Sequence, residues 1–108
     1  MAEAQKVLGQ SAPLATTLTD LYTAGAKAVG SSLVICNRSA SVPAHARVSV
    51  AVAGAADDPK QYVYYDLEIP GGETFIATIG WTLAITDVVR VYNDLATLSF
   101  NLFGVEIT

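Results

Sequence analysis

The sequence predicts an all-β protein, a single-domain antiparallel β-sandwich of the jelly-roll type with about seven strands. The chain has 108 residues, which is enough for one domain and leaves little for a second core. From residue 16 onward, short β-type runs alternate with turn residues at intervals of about 8 to 15 residues, the pattern of a sandwich or barrel. Helical spacing is nearly absent, and hydrophobic residues make up 52% of the chain, so a sheet core can be buried.

Residues 1–15 are predicted to form an extended N-terminal arm outside the core. They show no sustained period, and Pro13 would end any helix that began near the first residues. Residues 16–108 would then form the sandwich domain. We expect the arm to bind a neighbouring protein, with Pro13 and Leu14 at the interface.

Three strands are predicted in the first half of the sandwich. They cover residues 16–23, 27–37 and 46–52. In the second of them, Gly30 stands where a strand would bend or bulge. The third has the clearest alternation in the chain, with one face made by Ala46, Val48, Val50 and Val52 and the other by Arg47, Ser49 and Ala51.

Four strands are predicted in the second half, over residues 61–69, 75–83, 87–92 and 97–107. In the first of these, the core face would carry Val63, Tyr65, Leu67 and Ile69, and the other face Tyr62, Tyr64, Asp66 and Glu68. Trp81 falls in register with Phe75 and Ile79, which favours a core position. The last two strands flank Asn93 and Asp94, residues that suit a tight turn, and are predicted to pair as a hairpin.

Charge excludes some classes of partner. Six basic and ten acidic residues give a net charge of −4, and the basic residues are scattered, so no stripe that could displace counterions from nucleic acid is expected. The sequence has neither an apolar run of about 18 residues nor a basic, apolar start, which predicts no membrane partner and no cleaved leader. The one cysteine, Cys36, fits a small buried hydrophobe, with a disulfide between copies as the alternative.

No catalytic constellation is recognisable in the sequence, which predicts a protein without enzymatic activity, metal or cofactor. His45 is the single histidine, and metal or nucleophilic sites need further ligands or a flanked nucleophile beside it. Asp57 with Asp58 fits a solvated turn. Calcium binding by this pair and a hydrolytic role for His45 remain alternatives, although two carboxylates supply few of the oxygens that calcium needs.

The predicted outward positions of the strands favour association with other copies. They carry small, uncharged residues where a solitary sandwich usually carries lysine and glutamate: Ser49, Ala51, Thr78, Gly80, Thr82 and Ser99. A mean hydropathy of +0.41 agrees with a covered surface. Tyr62 and Tyr64, beside acidic residues, and Trp81 are the other candidate interface residues; aromatic rings next to carboxylates also suit sugar binding.

Several segments together resemble small virion proteins of tailed bacteriophages. They are Leu21-Tyr22-Thr23, the run from Ser32 to Ala40, Tyr64-Tyr65-Asp66, the run from Asp87 to Tyr92, and the closing Gly104-Val105-Glu106-Ile107-Thr108. Members are head-decoration or tail-accessory proteins. The resemblance implies a homotrimer that is located in the virion after assembly in the host cytoplasm, and that binds the major capsid protein or a tail or neck protein. It brings no catalytic residues.

The expected function is therefore a non-enzymatic one. The protein would decorate or cement a phage capsid through an oligomeric sandwich and its N-terminal arm. The alternative is a tail-, neck- or fibre-associated role, or a carbohydrate-binding module for attachment to the host surface, in which Tyr62 or Tyr64 would lie in a shallow groove.

Overall fold

The protein folds into nine β-strands in a computed structural model that describes residues 2–108. The strands are β1 (Glu3–Ser11), β2 (Thr19–Thr23), β3 (Lys27–Asn37), β4 (Ala44–Ala51), β5 (Tyr62–Ile69), β6 (Thr74–Ala77), β7 (Trp81–Leu83), β8 (Val88–Asn93) and β9 (Leu98–Ile107). Helical structure in residues 2–108 is limited to two single 3-10 turns, Val52–Gly54 and Pro59–Gln61. Within the described residues no helix is long and apolar enough to cross a membrane.

The strands form two antiparallel sheets, and the predicted sandwich is confirmed. The first sheet has the order β1-β9-β3-β6, with β7 also paired to β3, and the second has the order β2-β8-β4-β5. Strands from the two halves of the chain alternate in both sheets, which is the arrangement of a jelly roll. The predicted strand number was too low, because β1 was expected to be an arm and the run predicted over 75–83 is interrupted between β6 and β7.

Residues 3–11 belong to the first sheet, so the prediction that residues 1–15 form an arm outside the core was wrong for this segment, and Met1 lies outside the described residues. Strand β1 pairs with β9 from Glu3 opposite Ile107 to Ser11 opposite Phe100. The side chain of Leu8 enters the core. The register shifts between Val7 and Gly9, and this irregularity removes the alternation by which a strand is recognised in a sequence.

The core lies between the two sheets, as the alternating patterns predicted. The largest apolar side chains with less than 2% exposure come from five strands: Leu33 and Ile35 of β3, Val48 of β4, Ile69 of β5, Val89 and Val91 of β8, and Leu98, Phe100 and Leu102 of β9. Burial of such a side chain stabilises a fold by about 1.5 to 3 kcal/mol. The core thus includes side chains from inner strands of both sheets, such as β3 and β8.

The last two strands do not form the predicted hairpin. Strand β8 pairs with β2 and β4, whereas β9 pairs with β1 and β3. The chain crosses between the sheets after Asn93, whose buried side chain donates a hydrogen bond to the carbonyl of Pro13. The crossing lets Val91 and Phe100 both lie in the core between the sheets, so each strand buries its apolar face.

Candidate functional site

The two outer faces of the sandwich differ in chemistry. In the first sheet, the central outward positions carry uncharged side chains: Val7, Val29, Ser32, Val34, Cys36, Thr74, Ile76, Asn101, Phe103 and Val105. We call this surface the uncharged face. Its most exposed large hydrophobic side chain is Ile76, at 62%. Charged residues of this face, Glu3 and Lys27, stand at one end of the sheet.

The outer face of the second sheet is charged and aromatic, and we call it the charged face. Its side chains are Asp20, His45, Arg47, Tyr62, Tyr65, Asp66, Glu68, Arg90, Tyr92 and Asp94. Two of the small residues predicted to lie outward on this sheet, Ser49 and Ala51, are fully buried. The surface above the second sheet is thus suited to polar ligands, and that above the first sheet to apolar contact.

A bulge in β5 decides which tyrosines reach the charged face. Ala46 pairs with Leu67 and Val48 with Tyr64, so two residues of β5, Tyr65 and Asp66, stand opposite Arg47 alone. Asp66 has a φ of 54°, a left-handed conformation that aspartate tolerates better than most residues. Because of this extra residue, the side chains on one side of the bulge point to the opposite face from the one that strict alternation predicts.

The prediction that Tyr65 faces the core and Tyr64 faces outward was wrong for this reason. Tyr64 packs against the core and meets the ring of Phe75 edge-on, with the centroids 5.3 Å apart. Tyr65 is 60% exposed. Tyr62 lies on the outer side as predicted, because a second register shift, between Val48 and Ser49, places Tyr62 and Tyr64 on opposite faces of β5.

Arg47 is the centre of the charged face. Its guanidinium carbon lies 4.1 Å from the centroid of the Tyr65 ring and 4.6 Å from that of Tyr92. Its Nε donates to Asp66 Oδ1 at 2.7 Å and its Nη2 approaches Asp66 Oδ2 at 3.4 Å. The hydrogen bond to Asp66 raises the pKa of Arg47, so the side chain is a fixed positive charge. Cation–π contacts and the ion pair together hold the bulged strand against β4.

A groove of about 550 Å³ opens beside this arginine, within the usual size range for a ligand site. It is lined by Arg47, Asp57, Pro59, Tyr62 and Tyr65. The two tyrosine rings meet edge-on with centroids 5.2 Å apart. The Tyr62 hydroxyl donates to Asp57 Oδ2 at 3.0 Å. Partial burial and this hydrogen bond raise the pKa of Tyr62, so the hydroxyl stays protonated at neutral pH.

His45 lies at the other end of the charged face, within a cluster of carboxylates. Its Nδ1 is 2.8 Å from Asp94 Oδ2, and its backbone N–H donates to Asp94 Oδ1 at 2.7 Å. Nε2 is 3.5 Å from Glu68 Oε1. The hydrogen bond to Asp94 raises the pKa of His45 above 6.5. Partial burial acts to raise the pKa of Asp94, but the hydrogen bonds from His45 outweigh it and lower that pKa below 3.8.

We expect an NMR titration to give His45 a pKa above 6.5, and the Asp94→Asn variant to return it towards that value. Because the folded-state pKa of His45 is raised, its contribution to stability is complete below pH 6.5 and is lost as the pH rises through the folded-state pKa. The contribution of Asp94 is lost instead as the pH falls below 3.8. The asparagine keeps an oxygen for the His45 backbone N–H, so an unchanged histidine pKa in this variant would show that the Asp94 charge has no effect.

The structure separates the predicted interface residues. Tyr62 lines the groove and Leu14 is 73% exposed, whereas Tyr64, Trp81 and Pro13 face inward. Trp81 is buried, as its register with Phe75 and Ile79 predicted, and packs on Gly30, where the predicted bulge is present as a register shift. The sequence did not identify Arg47, Tyr65 and Tyr92 as site residues. An arginine that packs on tyrosines of other strands leaves no pattern in the local sequence.

The described residues contain no group of three or more histidine, cysteine, aspartate or glutamate side chains that could hold a metal ion.

Comparison with known proteins gives no family for this chain. No protein-family model matches it, and no curated protein is significantly similar to it. The uncharged face and the charged face are therefore the features from which a function is inferred.

Proposed function

We propose that this protein is a non-enzymatic structural component of a tailed-phage particle, which binds copies of itself as a trimer and decorates the capsid. The observation that carries the proposal is the uncharged face of the first sheet. An exposed sheet face without central charges is a liability for a protein that stays alone in water, because natural sheets use charged side chains to prevent association. Covering it with sister copies removes that liability.

The exposed apolar side chains of the uncharged face support this proposal. Ile76 and Phe103 are exposed on β6 and β9, and Val29 is exposed on β3, which lies between those strands. Burying such side chains at about 25 cal/mol per Å² of apolar surface favours association. Since the face has few charges to desolvate, little of this gain is offset.

Two further observations agree with a role in a phage particle. The jelly-roll order of strands is common in viral capsid domains, although the same architecture occurs in lectins and enzymes, so it favours the role by analogy alone. The second is the interpretation given above of the sequence segments as similar to those of small tailed-phage virion proteins. Since residues 3–11 belong to β1, we place contact with the capsid at the connection between β1 and β2, where Leu14 is largely exposed.

Replacing Ile76 by lysine is expected to convert the oligomer to a monomer. The change puts an ammonium group into each copy of the buried interface, and the repulsion between like charges costs several kcal/mol, so the dissociation constant should rise by about a hundredfold or more. The measurement is molar mass by sedimentation velocity, with the wild-type chain expected at three times the monomer mass.

Ile85→Lys is the matched control, because Ile85 is 60% exposed but lies in the turn between β7 and β8, away from the uncharged face. It should keep the wild-type mass. A monomeric wild-type protein, or an Ile76→Lys variant with unchanged mass, would contradict the proposed self-association. Imaging of purified particles with and without the protein then tests the role in the virion: density repeated over the shell supports decoration, and density confined to the tail or neck contradicts it.

A further inference from the structure

We propose that the groove beside Arg47 binds a neutral sugar unit. The groove lies on the charged face, on the opposite side of the sandwich from the uncharged face, so the inference does not depend on self-association. The sequence predicted Tyr62 or Tyr64 in a sugar-binding groove, whereas the structure places Tyr62 and Tyr65 there.

The apolar wall comes from three side chains. The rings of Tyr62 and Tyr65 stand nearly perpendicular, with an interplanar angle of 83°, and Pro59 closes the groove beside them. This makes a shallow corner with apolar surface on more than one side. A pyranose has a face of C–H groups, which can lie against an aromatic ring, while its hydroxyl groups point outward around the edge. The wall therefore fits one face of such a ring.

Hydrogen-bonding atoms at the edge of the wall complement the hydroxyl groups. Arg47 uses Nε and Nη2 for Asp66, and within residues 2–108 its Nη1 donates no hydrogen bond. Asp57 uses Oδ2 to accept from Tyr62, and its Oδ1 accepts no hydrogen bond from the same residues. The groove thus offers one free donor and one free acceptor. A hydroxyl group both donates and accepts, so neighbouring hydroxyl groups of a sugar can use both atoms.

These polar atoms are held in position before a ligand arrives. The guanidinium is fixed between two rings and a carboxylate, and the Asp57 carboxylate is fixed by the Tyr62 hydroxyl. Binding then requires little ordering of the side chains that make the contacts, which lowers its entropic cost. Both residues line the groove, where a ligand can reach them.

The local charge favours a neutral ligand. Arg47 and Asp57 both line the groove, and Asp66 is paired with Arg47, so charges of both signs stand close together there. An anionic group would be repelled by the carboxylates. A cation would be repelled by the guanidinium of Arg47, which lines the groove. A neutral polyol avoids both penalties, and this distinguishes it from phosphorylated, sulfated or basic ligands.

The test is a printed array of neutral glycans built from hexoses and N-acetylhexosamines, probed with the full-length protein, followed by NMR titration of the glycan that binds best. We expect binding with a dissociation constant of about 0.1 to 1 mM for a short free glycan, since the contacts are few. The titration should shift the amide signals of the residues that line the groove. Tyr65→Ala should weaken binding by about tenfold or more, because it removes the exposed ring.

Val63→Ala is the matched control. Val63 is also an exposed residue of β5, at 43%, and does not line the groove; its replacement should leave glycan binding unchanged. A Tyr62→Phe variant keeps the ring but loses the hydroxyl that positions Asp57, and should weaken binding by about threefold to tenfold. The inference is overturned if no neutral glycan binds, if Tyr65→Ala binds as tightly as the wild type, or if a proline-rich peptide and no glycan shifts the groove signals.

Discussion

Replacing Gly104 by alanine is expected to lower the free energy of unfolding by about 4 kcal/mol or more, at the extreme of what a single substitution does. Gly104 lies in β9, opposite Gly30 of β3 and Lys6 of β1. A Cβ atom there would approach the carbonyl oxygen of Val29 to well under 3.0 Å, and the Cα of Gly30 to 2.8 Å. Both are backbone atoms in the middle of the first sheet, so they cannot rotate away as a side chain would.

Equilibrium urea denaturation of the variant and the wild type measures this effect. Gly80→Ala is the matched control, because Gly80 lies between β6 and β7 and a Cβ atom there meets no atom within 4 Å. Its unfolding free energy should stay within about 1 kcal/mol of the wild type. If Gly104→Ala were as stable as Gly80→Ala, the close approach of β9 to β3 would not exist in solution.

The sequence predicted well those strands that have one face in the core and the other outside it. In β3 and β4 the alternation is visible because Leu33, Ile35 and Ala46 are fully buried while their neighbours along the chain are not. Strand β1 lacks this contrast. It is an edge strand in which Leu8 is the one buried hydrophobic side chain, so its sequence shows almost no alternation of buried and exposed positions.

The pairing of strands and the content of the groove were harder to predict, for a related reason. The contacts that bring β1 to β9 join the two ends of the chain, as in the ion pair between Lys6 and Glu106, and local patterns carry no information about them. The bulge at Tyr65 and Asp66 also depends on what lies across the sheet, namely Arg47. Sequence reasoning therefore found the tyrosine-rich strand but assigned two of its rings to the wrong faces.

The Asn37→Asp substitution is expected to lower the free energy of unfolding by about 3 to 5 kcal/mol at neutral pH. The Asn37 side chain is buried at the end of β3, and its amide nitrogen donates to the carbonyls of Val42 and Ile69, each at 2.9 Å. Its oxygen accepts from the backbone N–H of Ser39 at 3.0 Å. This one side chain thus ties the loop between β3 and β4 to the end of β5.

Aspartate has the same shape but cannot donate while ionised, so the substitution would place a buried carboxylate against two carbonyl oxygens. Burial and these oxygens would raise the folded-state pKa of the new carboxyl group above its unfolded value of about 3.9. The loss of stability is therefore full above the folded-state pKa and shrinks as the pH falls through it, because the protonated group can donate one hydrogen bond.

Urea denaturation of the variant at a series of pH values, with the wild-type protein at the same pH values as the control, separates this electrostatic cost from a general weakening of the fold. The difference in unfolding free energy between the two proteins should shrink by about 1 kcal/mol or more between pH 7 and pH 4.5. A difference that stays constant with pH, or that is below about 1 kcal/mol throughout, would mean that the donor hydrogen bonds of Asn37 do not hold the loop. The loop between β3 and β4 would then be held by backbone contacts such as that from Gly72 N–H to the Ser39 carbonyl.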